Sequence, residues 1–255
     1  MYYIVQENVF KEENYDNLIL ALDRFQLPYE IVDLLPFVDD FHFETDRKDV
    51  FPFGAVKMSR LSRKYGWYPG SQLNENHDYL VYSKYYKENL LNYDSDIINF
   101  GDTDFFHKQL FFARPVLDSK IFTGRIFDMG QWEEFRDNQL TNGHSTLLNE
   151  NTKIQISSVK KLQNEIRFWI VKGKIVTASQ YRLGNRYCLD ELVEQSAYDF
   201  VNKMVKIFEL NETFVMDVCL VNNEYKIVEC GCTNSAGLYK SDVQKLIMSL
   251  EDAFS

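Results

Sequence analysis

Histidine and cysteine are scarce in this sequence, with four of each among 255 residues. The histidines have no partner spacing, which argues against a Ser-His-Asp or Cys-His catalytic site; they are His42, His77, His107 and His144. The cysteines form no C-x-x-C pair, which argues against a structural zinc site; they are Cys188, Cys219, Cys230 and Cys232. Reduced thiols of this kind are typical of a cytoplasmic protein.

Basic residues and long apolar runs are also in short supply. The chain has 28 Lys and Arg against 38 Asp and Glu, a formal net charge of −10. Because bulk negative charge repels a phosphate backbone, nucleic acid is disfavoured as a partner. Residues 57–70 do interleave basic and aromatic side chains, which leaves open a contact with nucleic acid or an anionic substrate, or simply a solvated helix face. No run approaches the ~18 apolar residues of a membrane span.

The first hundred residues alternate short strand and helix patterns. Strands are expected at 2–9, 29–35 and in the first part of 49–67, which continues through a glycine turn into a short basic helix. Leu18 and Leu22 belong to a helical apolar face. Strand–helix–strand order predicts a small α/β lobe with a parallel sheet, assigned to residues 1–104.

From residue 105 onward, the pattern favours antiparallel strands and helices, so the whole chain is expected to be an α+β protein. We predict a strand at 105–116, hairpins at 165–182 and 214–230, and a helix at 191–208. Ser241 and Gln244 have the spacing of a capping box before the last helix. Residues 137–153 are polar and patternless, which predicts a mobile loop.

Two acids interrupt the apolar strands of the hairpin at 214–230. They are Asp217 and Glu229. A carboxylate inside a buried strand is costly unless it is paired or bound to a metal ion. If the turn has an odd number of residues, such as 222–224, the two acids lie opposite each other and can share a cation. Hard oxygen ligands without histidine favour Mg²⁺, and the alternative is one solvated acid and one ion pair.

This hairpin, with the helix before it and the segment ECGCTNSAGLY after it, resembles the C-terminal half of an ATP-grasp domain. In that superfamily, a strand Asp followed about a dozen residues later by Glu-x-Asn binds the metal ions. The resemblance therefore implies that Asp217 and Glu229 bind Mg²⁺. Gly231 occupies the usual Asn position, and Asn234, three residues further on, is the candidate replacement.

The upstream segments resemble the same superfamily in the expected order. Arg-Pro at 114–115 stands where the family has Lys-Pro, and DSKIFTG at 118–124 stands at its phosphate loop. IQISS at 154–158 and EIRFWIV at 165–171 are similar to segments of the ribosomal-protein glutamate ligases. Overall, the pattern looks closest to a phage and bacterial clade of small ATP-grasp proteins. The implied nucleotide contacts are Arg114, Lys120, Gln155, Ile156, Ser157, Glu165 and Arg167, and the implied catalytic residues are Arg182, Arg167 and Lys120.

The resemblance implies an ATP-grasp fold in which a pre-grasp lobe precedes a 105–255 domain that clamps ATP between two antiparallel-sheet-plus-helix subdomains. The implied reaction is an ADP-forming, ATP- and Mg²⁺-dependent ligation of a small-molecule or peptide carboxylate to an amine. The alternatives are a phosphotransferase on the same fold and a non-catalytic nucleotide-binding regulatory protein. The sequence leaves the substrates and the oligomeric state open.

Overall fold

The computed structural model describes residues 1–7, 13–34, 45–103, 109–117, 121–142 and 148–255. Contacts divide the chain into two compact units. The first unit comprises Met1–Glu75 and Leu162–Ser255, and the second comprises Asn76–Lys161. The domain boundary predicted between residues 104 and 105 lies outside the described residues and stays a prediction. In the part of the chain that is described, no helix combines the length and apolarity needed to cross a membrane.

The described strands and helices of six or more residues, and the shorter strands between them, follow one another along both units. In chain order they are β1 (Tyr2–Gln6), α1 (Glu13–Arg24), β2 (Tyr29–Val32), β3 (Val50–Phe53), α2 (Lys57–Tyr65), α3 (Tyr79–Tyr86), β4 (Asp96–Asn99), β5 (Phe111–Pro115), β6 (Arg125–Phe127), α4 (Met129–Asn142), β7 (Lys153–Ser158), β8 (Asn164–Val171), β9 (Lys174–Leu183), β10 (Arg186–Asp190), α5 (Gln195–Ile207), β11 (Thr213–Val221), β12 (Glu224–Gly231) and α6 (Val243–Phe254).

The first unit begins with a small parallel sheet, which confirms the prediction made from the strand–helix–strand order. Its strands lie in the order β2-β1-β3 and pair in parallel. Leu18 and Leu22 of α1 are fully buried, as their helical spacing predicts, and share a core with Tyr3 and Phe51. The glycine turn and short basic helix expected after the third strand are present as Gly54 and α2.

The other sheet of the first unit has five antiparallel strands in the order β10-β9-β8-β11-β12. The side chains of β8 alternate between its two faces, as predicted. Phe168 contacts Tyr198 of α5 on one face. Trp169 lies on the other face, in the core that also contains Leu246 of α6 and Tyr3 of β1. The first residues and the last hundred therefore build a single core.

Helix α6 is capped one residue later than the sequence spacing suggested. Asp242 is the N-cap, and its carboxylate accepts a hydrogen bond from the backbone N–H of Lys245 at 3.0 Å. The predicted capping box at Ser241 and Gln244 is therefore wrong. The hydroxyl of Ser241 instead accepts a hydrogen bond from the indole N–H of Trp169 at 2.9 Å, which satisfies a buried donor of the core.

The second unit contains a four-stranded antiparallel sheet in the order β4-β7-β5-β6. Its core is aromatic and packs Trp132 of α4 against Phe111 and Phe127. A reciprocal pair of hydrogen bonds between Asp128 and Gln131 starts α4. The helix runs on to Asn142, so the mobile loop predicted from residue 137 is wrong at 137–142; residues 143–147 lie outside the described ones.

The β11–β12 hairpin reaches its register by a route that the sequence did not indicate. Asn222 and Asn223 form a two-residue turn with φ values of 50° and 64°, and Val221 pairs with Glu224. Such a turn alone would place Val228 opposite Asp217. A bulge at Val228 shifts the register by one residue, so that Glu229 faces Asp217. The expected odd-length turn is wrong, whereas the expected opposition of the two acids is confirmed.

The left-handed turn generates a stability prediction. Asn tolerates this conformation better than most residues, and Gly adopts it without a steric penalty. Replacing Asn223 by Ala is expected to lower the free energy of unfolding by about 1 kcal/mol. Asn223→Gly, the matched control, is expected to leave it unchanged or raise it. Urea unfolding of both variants checks this, and a Gly variant less stable than the Ala variant would contradict it.

Candidate active site

The candidate site of the first unit is a row of charged residues across three strands of the five-stranded sheet. Asp217 of β11 pairs with Arg167 of β8 on one side and with Glu229 of β12 on the other. Glu165 of β8 pairs with Arg182 of β9, and alternation places Glu165 on the same face as Arg167. The same face is apolar at Trp169 and Val215, where it joins the core.

Arg167 and Asp217 form a buried, two-pronged ion pair. The Nε and Nη2 groups of Arg167 each donate to one carboxylate oxygen of Asp217, and both distances are 2.8 Å. Nη1 of Arg167 donates to the carbonyl of Gly237 at 3.1 Å. Asp217 is only 2% exposed and Arg167 8%. Ion pairs with this geometry keep both groups charged, and removing one partner would leave an uncompensated buried charge.

Burial and pairing act against each other on the pKa values of this ion pair. Burial raises the pKa of Asp217, with Arg167 opposing that direction and Glu229 adding to it. Burial lowers the pKa of Arg167, but the carboxylate of Asp217 more than offsets this, so its net shift is upward. The pair is therefore coupled, and Asp217 depends on Arg167 to remain ionised.

Two tyrosine rings enclose the guanidinium of Arg167. The centre of the Tyr239 ring lies 4.9 Å from it and that of Tyr181 5.8 Å. The rings stack on each other with centroids 4.7 Å apart and an interplanar angle of 18°. Tyr239 has a φ of 51°, which is uncommon and strained for an aromatic residue. The surrounding contacts hold this conformation, and both rings lie where they stabilise a cation.

Tyr181 also links the two acids of the row. Its hydroxyl lies 2.9 Å from Glu165 and 3.2 Å from Asp217. Burial raises the pKa of Tyr181 well above its usual value, and the carboxylates of Asp217 and Glu165 push it the same way. Tyr181 therefore stays protonated and acts as a hydrogen-bond donor. It can point into the row because a bulge in β9 interrupts the alternation at this residue.

Glu165 forms the second ion pair of the face. One carboxylate oxygen accepts a hydrogen bond from Nη1 of Arg182 at 2.8 Å. Glu165 is 6% exposed, whereas the side chain of Arg182 is 51% exposed. Arg182 is thus held at its guanidinium and remains open to solvent, as a group that contacts an anionic ligand must be. Its predicted role in catalysis stays a prediction.

Asn234, the predicted third metal ligand, has its carboxamide committed to internal hydrogen bonds. Its oxygen accepts from the backbone N–H of Gln72 at 2.7 Å and from Cys232 Sγ at 3.2 Å. Its amide donates to the carbonyls of Pro52 at 2.7 Å and Gly70 at 3.2 Å. These bonds use the whole capacity of the side chain. Asn234 therefore joins the C-terminal loop to the parallel-sheet region, and binding a metal ion would break those bonds.

The carboxylate row suits Mg²⁺ in its chemistry, though not as a complete protein cage. Within the described ranges, no three His, Cys, Asp or Glu side chains form a group that could hold a metal ion. Mg²⁺ often needs only one or two carboxylates, since water and substrate phosphates supply the other oxygens. Gly231 adds no ligand, and a Cβ built there would lie 3.2 Å from Val215 Cγ2. The assignment of Asp217, Glu229 and Asn234 to a metal stays a prediction.

The predicted nucleotide contacts of the second unit share part of one sheet face. Arg114 of β5 pairs with Gln155 of β7. Gln155 is buried, and its amide donates to the hydroxyl of Ser95 at 2.9 Å. Ser157 has a buried hydroxyl without a hydrogen-bond partner. Ile156 points to the opposite, core face, so a contact of Ile156 with a ligand would involve its backbone.

Gly124 allows the chain to lie directly on this face. A Cβ at Gly124 would come within 2.6 Å of the Phe112 ring and 3.1 Å of Arg114 Cβ. Glycine is therefore needed here for a close approach of the backbone, as in a loop that wraps phosphates. Lys120, the predicted point charge of this loop, lies outside the described residues.

Sequence reasoning missed the two tyrosines of the site. The β9 bulge places Tyr181 off the regular alternation, and no sequence signal marks that bulge. Tyr239 belongs to the segment NSAGLY, which carried the resemblance, but its contacts depend on a left-handed backbone that is unusual for an aromatic residue.

The elevated pKa of Glu165 generates a pH prediction. Burial raises this pKa above its ordinary value of 4.5, against the effects of Arg182 and Tyr181. The folded state then holds the proton more tightly than the unfolded state, which stabilises the fold below pH 4.5. This stabilisation is lost as the pH rises through the raised pKa. Glu165→Gln should therefore become progressively more stable relative to wild type across that window.

Urea unfolding at a series of pH values from about 4 to 7 measures this difference. Glu224→Gln, which changes an exposed carboxylate of the same sheet, serves as the control and should run parallel to wild type. A Glu165→Gln profile that also runs parallel to wild type would show that the pKa of Glu165 is not raised.

Comparison with known proteins agrees with the geometry of this site. Residues 50–250 match the model of an ATP-grasp domain family, described as family 3 of its clade. No curated protein is similar enough in sequence to count as a relative.

Several solved structures have the same fold at low sequence identity. D-alanine–D-alanine ligase from Bacillus anthracis, complexed with ATP, is 14% identical with a TM-score of 0.63, and the match covers 99% of this chain and 97% of that one. The D-cycloserine synthetase DcsG is 11% identical with a TM-score of 0.66, covering 100% and 99%. An ATP-grasp RimK domain protein from Sphaerobacter thermophilus is 8% identical with a TM-score of 0.62, covering 99% and 95%. The family match spans most of the sequence, and the chain belongs to this family of ATP-grasp domains.

Proposed function

We propose that this protein is an ATP-dependent carboxylate–amine ligase that forms ADP through an acyl-phosphate intermediate. The observation that carries the proposal is the opposition of Asp217 and Glu229 beside a buried, positively charged Arg167. Oxygen ligands and a fixed cation, side by side on one sheet face, are what the transfer of a phosphoryl group needs. Several ATP-grasp proteins of the same fold are named ligases or synthetases.

The proposed reaction has two steps. An oxygen of the substrate carboxylate attacks the γ-phosphorus of ATP, and the bond between the β,γ-bridging oxygen and that phosphorus breaks, releasing ADP. The nitrogen of an amine then attacks the acyl carbon, phosphate leaves with the bonding electron pair, and the nitrogen loses a proton to give the amide. A small molecule or a peptide can supply either the carboxylate or the amine.

The residues of the chain act in this reaction by position and charge. Bound Mg²⁺ would supply neutralisation of phosphate oxygens and would be held by the carboxylate row. Arg167 and Arg182 contribute fixed positive charge toward the phosphoryl group as it transfers. In the second unit, Arg114 and Lys120 are proposed to contact phosphate oxygens, while Gln155, Ile156 and Ser157 are proposed to contact the adenine edge. Glu165 is proposed to act through Arg182, to which it is bonded.

Product analysis tests the ligase proposal. The chain is incubated with ATP, Mg²⁺ and a panel of amino acids and short peptides, and ADP and new amide products are measured together by chromatography and mass spectrometry. Glu229→Gln is expected to lower the rate at least about 100-fold, because it removes a charged group at the phosphoryl site. Glu224→Gln, on the exposed end of the same strand, should keep the wild-type rate.

The other outcomes identify the alternatives. ADP together with a phosphorylated product and no amide would indicate a phosphotransferase. An ATP-dependent rise in melting temperature without any turnover would indicate a nucleotide-binding regulatory protein. Neither a rise in melting temperature nor ADP formation would reject nucleotide chemistry at this site.

A further inference from the structure

The hydrogen bonds of Asp217 limit what else its carboxylate can bind. One oxygen accepts from Arg167 Nε, and the other accepts from Arg167 Nη2 and lies 3.2 Å from the Tyr181 hydroxyl. An ionised carboxylate has about four acceptor positions. Three of them are used here by groups that are themselves buried, and Asp217 is 2% exposed. A metal ion that bound Asp217 would have to shed its water and displace one of these donors.

Arg167 is also held from the sides that do not face Asp217. The Gly237 carbonyl accepts a hydrogen bond from Nη1, and the rings of Tyr239 and Tyr181 enclose the guanidinium. Tyr239 keeps its strained φ of 51° in this arrangement. Lys240, the next residue, donates its backbone N–H to the hydroxyl of Ser179 at 3.0 Å. Arg167 therefore cannot turn away from Asp217 without losing contacts to β9 and to the loop at 237–240.

Glu229 differs from Asp217 in exposure. It lies opposite Asp217 at the edge strand β12 and is half-buried. A hydrated cation can therefore reach Glu229 without opening the core. The next residue on the same face of β12 is Gly231, which brings no oxygen ligand from its side chain.

We propose that Asp217 is a positioning residue that anchors Arg167, and that Glu229 is the carboxylate of this row that binds the cation. This inference rests on the proposed function and divides its metal-binding pair into two separate roles. Arg167 neutralises Asp217 and takes the place of a second metal ion. The site accordingly binds one divalent cation per chain together with the nucleotide.

The anchoring role is tested by melting temperature in the absence of metal ions and nucleotide. Asp217→Asn leaves the buried guanidinium of Arg167 without its counter-charge, so the melting temperature is expected to fall by at least about 6 °C. Glu229→Gln is expected to stay within about 2 °C of wild type. The double variant Arg167→Met, Asp217→Leu, which removes both buried charges, should recover at least half of the loss. An Asp217→Asn variant as stable as Glu229→Gln would overturn the anchoring role.

The cation is tested separately by equilibrium dialysis with Mn²⁺ and a saturating non-hydrolysable ATP analogue. Wild type is expected to bind one Mn²⁺ per chain. Glu229→Gln should weaken this binding at least tenfold, whereas Asp217→Asn and the double variant should stay within about threefold of wild type. The double variant keeps the test decisive if Asp217→Asn does not fold. Two Mn²⁺ per chain, or a tenfold loss in the variants at residue 217, would overturn the proposal.

A failure of the proposed function would look different. If wild type bound neither the analogue nor Mn²⁺, the ligase proposal and the role of Glu229 would fall together. The melting temperatures would still decide whether Asp217 anchors Arg167, because that measurement needs no ligand.

Discussion

The buried ion pair between Arg167 and Asp217 is the constraint on which the rest of the site depends. Neither charge could remain in the sheet alone, since an isolated ion inside a protein is strongly disfavoured. The pair fixes neighbouring residues of β8 and β11, and its remaining donor holds the loop at Gly237. Tyr181 and Tyr239 then close around the guanidinium. The strain at Tyr239 and the bulge at Tyr181 both make sense as adaptations to this one interaction.

Much of this arrangement can be predicted from the sequence because it follows from periodicity. Alternation along β8 separates Arg167 from Phe168, and an acid within an apolar strand marks Asp217 as exceptional. The opposition of Asp217 and Glu229 is also predictable, although the reason given for it is wrong. A two-residue turn and a bulge at Val228 together give the same register as an odd-length turn. Sequence spacing alone cannot distinguish these two solutions.

The parts that could not be predicted depend on contacts between distant segments. Asn234 has the composition of a metal ligand, but it is bonded to Gln72, Pro52 and Gly70, more than 160 positions away in each case. Helix α4 has a weak apolar pattern in its last turn, and its length follows from the cap at Asp128 and the packing of Trp132. Propensity is a weak guide wherever tertiary contacts decide the outcome.

The division of the first unit into two chain segments affects how the protein is made. The second unit is continuous, so all of its residues have been synthesised once Lys161 has left the ribosome. The parallel sheet of the first unit exists in sequence by then, but the strands and helix that complete its core, including Trp169 and Leu246, do not. Residues such as Tyr3 and Phe51 must wait for partners that are translated last. During synthesis, the apolar face of the first segment is therefore the surface that most needs protection by chaperones.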